Sequence, residues 1–286
     1  MANSKFEYVR NFEQPDPLLP NTWIVVRIDG RAFTKMCAKY KFQKPNDRRA
    51  LDLMNVAAMA VVTDIPEIII AYGVSDEYSF VLHKSCDLFE RRARYVALRN
   101  RLQSSKLRSM QQVGQHHRIY LHSELRIFLA HMLPRYATLL PSTNFRWPSS
   151  HINNLYNTTF WSLVQLGGLD NKDAERTLAG TLAADKNEIL FSRFHINYNN
   201  EPEIYKKGSV IFRDYELVDP GSHSVAAEMD DLAEPVTQSK TQTEKDKKRR
   251  AKARVVVQHL DIIKDDFWDR RPWILSNKPG KVPKET

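Results

Sequence analysis

Cysteine is scarce in this 286-residue chain. Cys37 and Cys86 stand alone, at no metal-type spacing and too few for a disulfide scaffold, which points to a reducing, intracellular compartment. No apolar stretch approaches the ~20 residues a membrane helix needs, so no span and no membrane partner is expected. Met1 to Glu13 carries charges and no apolar core, unlike a secretory signal. No Walker-type glycine loop, no HExxH and no Gly-x-Ser-x-Gly occurs, which argues against P-loop kinases, zinc proteases and ordinary hydrolases. Acidic residues all but vanish between positions 94 and 150. That window has nine Lys or Arg against one acid, Glu124, and holds four of the nine His, so nearly all of the net charge of +9 sits there. A charge of this kind invites a nucleic-acid reading.

What is present is a folded composition: 42% apolar residues, with five Trp, eleven Tyr and thirteen Phe. The length allows one large domain or one domain with an appendage. Two apolar runs that end in acids organise it. Trp23 to Ile28 reads as a buried strand closed by Asp29-Gly30. Ile68 to Leu82 reads as two strands around Gly73-Val-Ser-Asp-Glu77. A strand apolar on both faces tolerates Asp only at its end or where it binds something. If the strands are neighbours, Asp29 and Asp76 can share magnesium, a hard cation usually held by one or two carboxylates plus substrate phosphates. The alternative is two strand-end acids facing solvent. Glu77 alternates to the opposite face and serves a metal only if the strand bends; otherwise it caps or pairs with Arg. Gly30 permits a tight turn and close approach of its carbonyl to a ligand.

Between these strands Lys44-Pro-Asn-Asp47 opens a helix, with Asn46 as N-cap and Asp47 in the first turn. Leu51, Met54, Ala58 and Val61 give it a core-facing stripe, and Pro66 ends it. Strand, helix and two strands make a β-α-β-β half, so the predicted class is α+β with a ferredoxin-like sheet and both acids near its middle. Residues 119–133 are apolar enough for a helix. Helices are expected over 153–165 and 170–178, an Asn-rich loop at 197–201, and a last strand over 208–212. Residues 219–254 read as a loosely held loop with a basic end, and 260–275, with Phe267, Trp268 and Trp273, as a docking anchor. His151 can serve as acid-base or phosphate group or be structural. Lys186 can contact phosphate or pair with Asp185. The asparagines Asn153, Asn154, Asn197, Asn199 and Asn200 can contact RNA or merely shape loops and caps.

Several long segments together resemble the tRNA-His guanylyltransferase family. They are residues 1–10, Arg27-Ile-Asp-Gly-Arg-Ala-Phe33, Lys44-Pro-Asn-Asp47, Ala71 to Val81, His151-Ile-Asn-Asn-Leu-Tyr-Asn-Thr158, Gly180 to Leu190, His195 to Pro202, and Asp261-Ile-Ile with Phe267-Trp268. The resemblance covers about 1–93 and 151–275. It implies a polymerase-type palm with flanking helices and a C-terminal extension, a catalytic part over 1–213 and an extension over 214–286. It implies a cycle in which ATP adenylylates the 5′-phosphate of tRNA-His, the GTP 3′-hydroxyl attacks, AMP leaves and pyrophosphate is removed. Asp29, Asp76 and Glu77 would be catalytic, with two magnesium ions on Asp29, the Gly30 carbonyl and Asp76. Asp29, Gly30, Arg31, Ala32, Phe33, Thr34, Lys44, Ser75 and Asp76 would bind the nucleotide. His151, Asn154, Lys186 and Asn197 match positions tied to activation or tRNA handling. A homotetramer and a cytoplasmic location, with the nucleus as alternative, are further expectations.

The basic window departs from that pattern. Arg91-Arg-Ala-Arg-Tyr95 stands where the family has Arg-Arg-Ala-Ser-Lys, and Phe145-Arg-Trp-Pro-Ser-Ser150 precedes the His151 motif. Matching flanks around a middle that does not match are the pattern of a frame-shifted or mis-spliced reading. On that expectation the segment replaces two central strands of the palm. The alternative function is then a catalytically impaired tRNA-binding protein, its basic window a non-specific phosphate patch.

Overall fold

The computed structural model describes residues 16–29, 33–93, 126–130 (backbone), 150–219 and 239–283. Strand β1 (Trp23–Ile28) leads through helices α1 (Phe33–Lys39) and α2 (Arg48–Asp64) to a hairpin of β2 (Ile68–Val74) and β3 (Glu77–Leu82). Strand β4 (Arg126–Ala130) follows. Then come helices α3 (Ser150–Gln165), α4 (Asn171–Leu178), α5 (Ala183–Phe194) and α6 (Glu203–Lys207), then β5 (Ser209–Arg213), α7 (Lys240–Lys252), β6 (Val255–Gln258), α8 (Asp265–Asp269) and α9 (Pro272–Ser276).

The sheet order is β4-β1-β3-β2-β5-β6, every described pairing antiparallel. Its first four strands carry the 4-1-3-2 order of a ferredoxin-like sheet, with β3 inserted between the parallel β1 and β2 of a split β-α-β unit. Residues 126–130 form a strand, not the expected helix, because they pair along the free edge of β1, Val25 opposite Phe128. Ile127 and Phe128 are residue types at home in strands. Among the described strands this one is an edge, so the described part of the basic window supplies no central strand; β1, β3, β2 and β5 all come from its flanks.

Side-chain alternation gives the sheet two apolar faces. Ile24, Val26, Ile28, Tyr78, Phe80 and Leu82 face α2, which lays Met54, Ala58, Val61 and Val62 on them. Trp23, Val25, Val81, Val210 and Phe212 face the other way and are covered by Phe267, Trp268, Trp273 and Ile274. The C-terminal anchor is thus two short helices. Residues 214–286 also contribute β6, which was absent from the sequence reading, so the strand ending at Arg213 is not the last. Residues 240–252, read from the sequence as loop, form helix α7, held by a Ser239 N-cap whose hydroxyl accepts from Gln242 N–H at 3.3 Å. A separate helical layer, α3 to α6, has its own small cores around Leu155, Leu190 and Tyr198 and around Leu163, Ala174 and Leu178.

Candidate active site

The register fixes where the acids fall. Ile28 pairs with Tyr78, so Asp29 leaves β1 beside the start of β3, where Ser75 and Asp76 close the β2–β3 hairpin between the pair Val74 and Glu77. Both acids therefore lie at one end of two adjacent central strands. Ser75 takes the left-handed conformation, φ 57°, a strained choice for a non-glycine residue. The turn is pinned from behind. Gly73 faces Tyr78, and a Cβ there would run into the Tyr78 ring, so the ring lies directly on the glycine backbone. The Tyr78 hydroxyl donates to Asn55 Oδ1 of α2, and burial raises its pKa.

Asp76 is half-buried and Asp29 exposed. Burial, chiefly, and the neighbouring Asp29 carboxylate push the Asp76 carboxyl above its ordinary range, partly offset by its own backbone N–H and the Ser75 hydroxyl. A half-buried carboxylate with a second carboxylate beside it is a donor set a divalent cation relieves. Among the described residues no group of three or more His, Cys, Asp or Glu comes together to hold a metal. Two carboxylates and open positions fit magnesium shared with phosphate oxygens. Glu77 instead forms an ion pair with Arg27 across the strand pair, on the face opposite Tyr78. That is the pairing its alternation allowed.

Lys44 stands in the same electrostatic neighbourhood. The buried Cys37 thiol in α1 is pushed up by burial, pulled down by Lys44 and pushed up again by Asp76 and Asp47, so ammonium and carboxylate flank one side chain. The Lys44 ammonium lies 5.1 Å from the Trp161 ring centroid of α3, a cation–π contact that aims it. Phe33 packs on the α2-side core, and Thr34 is exposed in the first turn of α1. Gly30, Arg31 and Ala32 lie outside the described residues.

The four residues matched to tRNA handling separate into two kinds. His151 and Asn197 are exposed, Asn197 capping a short turn by accepting from Asn199 N–H at 3.1 Å. Asn154 and Lys186 are buried. Asn154 accepts from Asn46 Nδ2 at 2.8 Å and donates to the Tyr198 hydroxyl at 3.0 Å, which reaches the His151 carbonyl at 3.3 Å. Lys186 donates to the Thr181 carbonyl at 2.6 Å and the Leu182 carbonyl at 3.3 Å; Asp185 is engaged with the Leu182 N–H instead. Asn46 is therefore not the cap of α2. Asp47 caps it, accepting from Arg49 N–H, while Asn46 ties the Lys44 segment to α3. Sequence reading missed Gly73, Tyr78 and Cys37 as parts of this site. Only the close Gly73–Tyr78 spacing across a tight turn could have signalled the first two.

The tRNAHis guanylyltransferase family model matches residues 6–123, and the Thg1 C-terminal domain model matches 142–264. The first runs well into the basic window, leaving 124–141 between the two. A tRNA(His) guanylyltransferase of Neurospora crassa is 58% identical over 304 aligned positions, covering all of both chains. One from Debaryomyces hansenii is 43% identical over 96% of this chain and all of its own. The crystal structure of the Saccharomyces cerevisiae tRNA(His) guanylyltransferase superposes with a TM-score of 0.62 at 41% identity, covering 80% of this chain and 100% of that one. The α+β palm-type fold expected from the sequence is the one these relatives share.

Proposed function

Because the chain belongs to the tRNA(His) guanylyltransferase family, we propose that it adds a guanylate to the 5′ end of tRNA-His at the Asp29–Asp76 site. The observation that carries this reading is the placement of those two carboxylates at one end of β1 and β3, close enough for Asp29 to raise the Asp76 pKa.

In the proposed cycle, the tRNA 5′-phosphate oxygen attacks the α-phosphorus of ATP and pyrophosphate leaves. The 3′-hydroxyl of GTP then attacks the 5′-phosphorus of the adenylylated end, loses its proton, and AMP departs with its phosphate; water finally attacks the α-phosphorus of the added guanylate and pyrophosphate leaves. Phosphoryl transfer of this kind asks the protein chiefly for positioning and charge. Asp29, the Gly30 carbonyl and Asp76 would hold magnesium, which when bound neutralises phosphate charge and eases deprotonation of the attacking hydroxyl. The Ser75–Asp76 turn, fixed by Tyr78 on Gly73, holds its carboxylate still. Lys44, aimed by Trp161, supplies a cation for the triphosphate. Asn154 and Lys186 position the helical layer from within, and the exposed His151 and Asn197 are its surface for RNA. We further propose a homotetramer.

The test incubates labelled GTP with ATP, magnesium and 5′-monophosphorylated tRNA-His and looks for label at the 5′ end. Incorporation is expected, and Asp29→Ala or Asp76→Ala should each abolish it while the circular dichroism spectrum stays unchanged. Full activity in either variant would remove the metal assignment. Absence of incorporation by the folded parent chain would remove the transferase reading.

A further inference from the structure

A second polar cleft lies far from the acids, where the C-terminal tail crosses the start of β2. It takes in about 260 Å³ of space, open solvent included, and its polar lining is Arg213, Tyr215, Arg250, Trp273, Asn277 and Lys278. Ile68, at the opposite end of the seven-residue β2 from Asp76, forms its floor. At ~3.3 Å per strand residue the two sites are roughly 20 Å apart.

Ile68, Ile69, Ile274 and Pro279 make its apolar side, and the groups on its polar side are mostly donors. The Tyr215 hydroxyl, Trp273 Nε1 and Arg250 Nε are buried and find no hydrogen-bond partner among the described residues. Tyr215 is 3% exposed and Trp273 8%, their rings set edge to face at 5.5 Å. Leaving one such group unpaired is costly; three around one cleft call for a shared acceptor. The charge agrees. Arg213, 5% exposed, has no carboxylate ligand among the described residues: it donates to the carbonyls of Ile68 and Val62, each at 2.6 Å, and of Arg250 at 2.9 Å. Burial lowers its pKa to about 10. Arg250 spends one terminal nitrogen on the Asn277 carbonyl and side-chain oxygen, at 2.9 and 2.8 Å. Two acids act on the cleft from its margins. Glu67 is ion-paired with Lys247 at 2.9 Å, and Asp246 accepts from Gln242 at 3.0 Å, so both are engaged elsewhere. A water accepts at most two hydrogen bonds and brings no charge, whereas an oxyanion accepts all three and answers the guanidinium pair.

We propose that this cleft binds a tetrahedral oxyanion of the phosphate class, a site separate from the Asp29–Asp76 centre and independent of the transferase reading. Tyr215, Trp273 and Arg250 donate to it, and Arg213 supplies a fixed charge behind them. Its neighbour α7 carries Lys245, Lys248, Arg249 and Lys252 exposed, so the phosphate can be a free ion or a group of an RNA backbone.

The test measures thermal stability and tryptophan fluorescence of the full chain against inorganic phosphate at constant ionic strength. A parallel series uses a short unphosphorylated-end RNA oligonucleotide. The parent should be stabilised in a saturable way, and the fluorescence change should track the same curve. Tyr215→Phe, which removes one hydroxyl, should weaken the response by roughly tenfold or more, and Arg250→Met likewise. Asp76→Asn should retain it, which separates this cleft from phosphate bound at the catalytic end. Response to the ion alone identifies free phosphate, and response to the oligonucleotide identifies backbone phosphate; either carries the proposal. An unchanged response in both Tyr215→Phe and Arg250→Met, its loss in Asp76→Asn, or no response at all would overturn it and leave water as the occupant.

Discussion

At the scale of single residues, burial decides which polar groups act on substrate and which hold the protein together. His83 is the sharpest case. It is 7% exposed, packed edge-on against Trp23 at 4.7 Å, and its Nε2 lies 3.1 Å from the Leu275 carbonyl. Its Nδ1 accepts from Ser85 N–H at 3.1 Å, so the neutral ring donates through Nε2, and a second proton on Nδ1 would break that acceptance. Burial depresses its pKa to about 4, against 6.5 for the ordinary group. The folded form thus binds its proton later than the unfolded form as pH falls. The stability it contributes is complete above about pH 6.5 and is lost between there and pH 4, about 3 kcal/mol in all. Urea midpoints measured from pH 7.5 to 4 should fall accordingly, and His83→Gln should flatten that part of the profile. An unchanged slope in the variant would assign the loss to carboxylates. Asn154 follows the same logic: Asn154→Ala leaves both Asn46 and Tyr198 without their partner and should cost about 1–3 kcal/mol. A variant melting with the parent would return Asn154 to a surface role.

At the scale of elements, the sequence was most legible where period and punctuation agreed. β1, β2 and β3 announced themselves as apolar runs ended by Asp29-Gly30 and Ser75-Asp76, and the stripe of α2 was evident from Met54, Ala58 and Val61. It was least legible where an element is made by its neighbours. β4 owes its strand form to the edge of β1, and β6 is four residues, Val255–Gln258, that become a strand only beside β5. Helix α7 hides an inward side, with Asp246 and its C-cap Ala253 buried, among eleven other charged or polar residues. The start of α2 shows the limit of cap reading, since Asn46 and Asp47 are both good caps. Asp47 won because its carboxylate also receives Gln43 N–H at 2.9 Å and the Arg49 guanidinium at 2.6 Å, which hold its carboxyl well below the usual range. Asp47→Ala should therefore cost about 1–2 kcal/mol, with Asp47→Asn recovering part of it. Equal midpoints for the Ala variant and the parent would move the cap back to Asn46.

At the scale of the whole molecule, the sheet has two apolar faces, and the second is covered by the end of the chain. Sequence reading gave 214–286 as an extension whose residues 260–275 dock, and Phe267, Trp268, Trp273 and Ile274 are nearly fully buried on Trp23, Val25, Val210 and Phe212. At roughly 1.5–3 kcal/mol for each large side chain buried, these four contribute about 6–12 kcal/mol, as much as a typical domain's net stability. The same segment reaches the catalytic strands, because Trp23 begins β1, whose far end delivers Asp29. The tail is further tied down by the Trp268 indole on the Ile262 carbonyl at 2.9 Å and by Glu216 N–H on the Lys281 carbonyl at 2.8 Å. A chain ended at residue 259 should then lose its cooperative thermal transition and bind hydrophobic dye, losing transfer activity as a consequence. Supplying residues 260–286 as a separate peptide should restore part of the transition if the face is otherwise intact. A truncated chain that melts cooperatively within a few degrees of the parent would show that the sheet stands on α2 alone, and that the C-terminal part is an appendage after all.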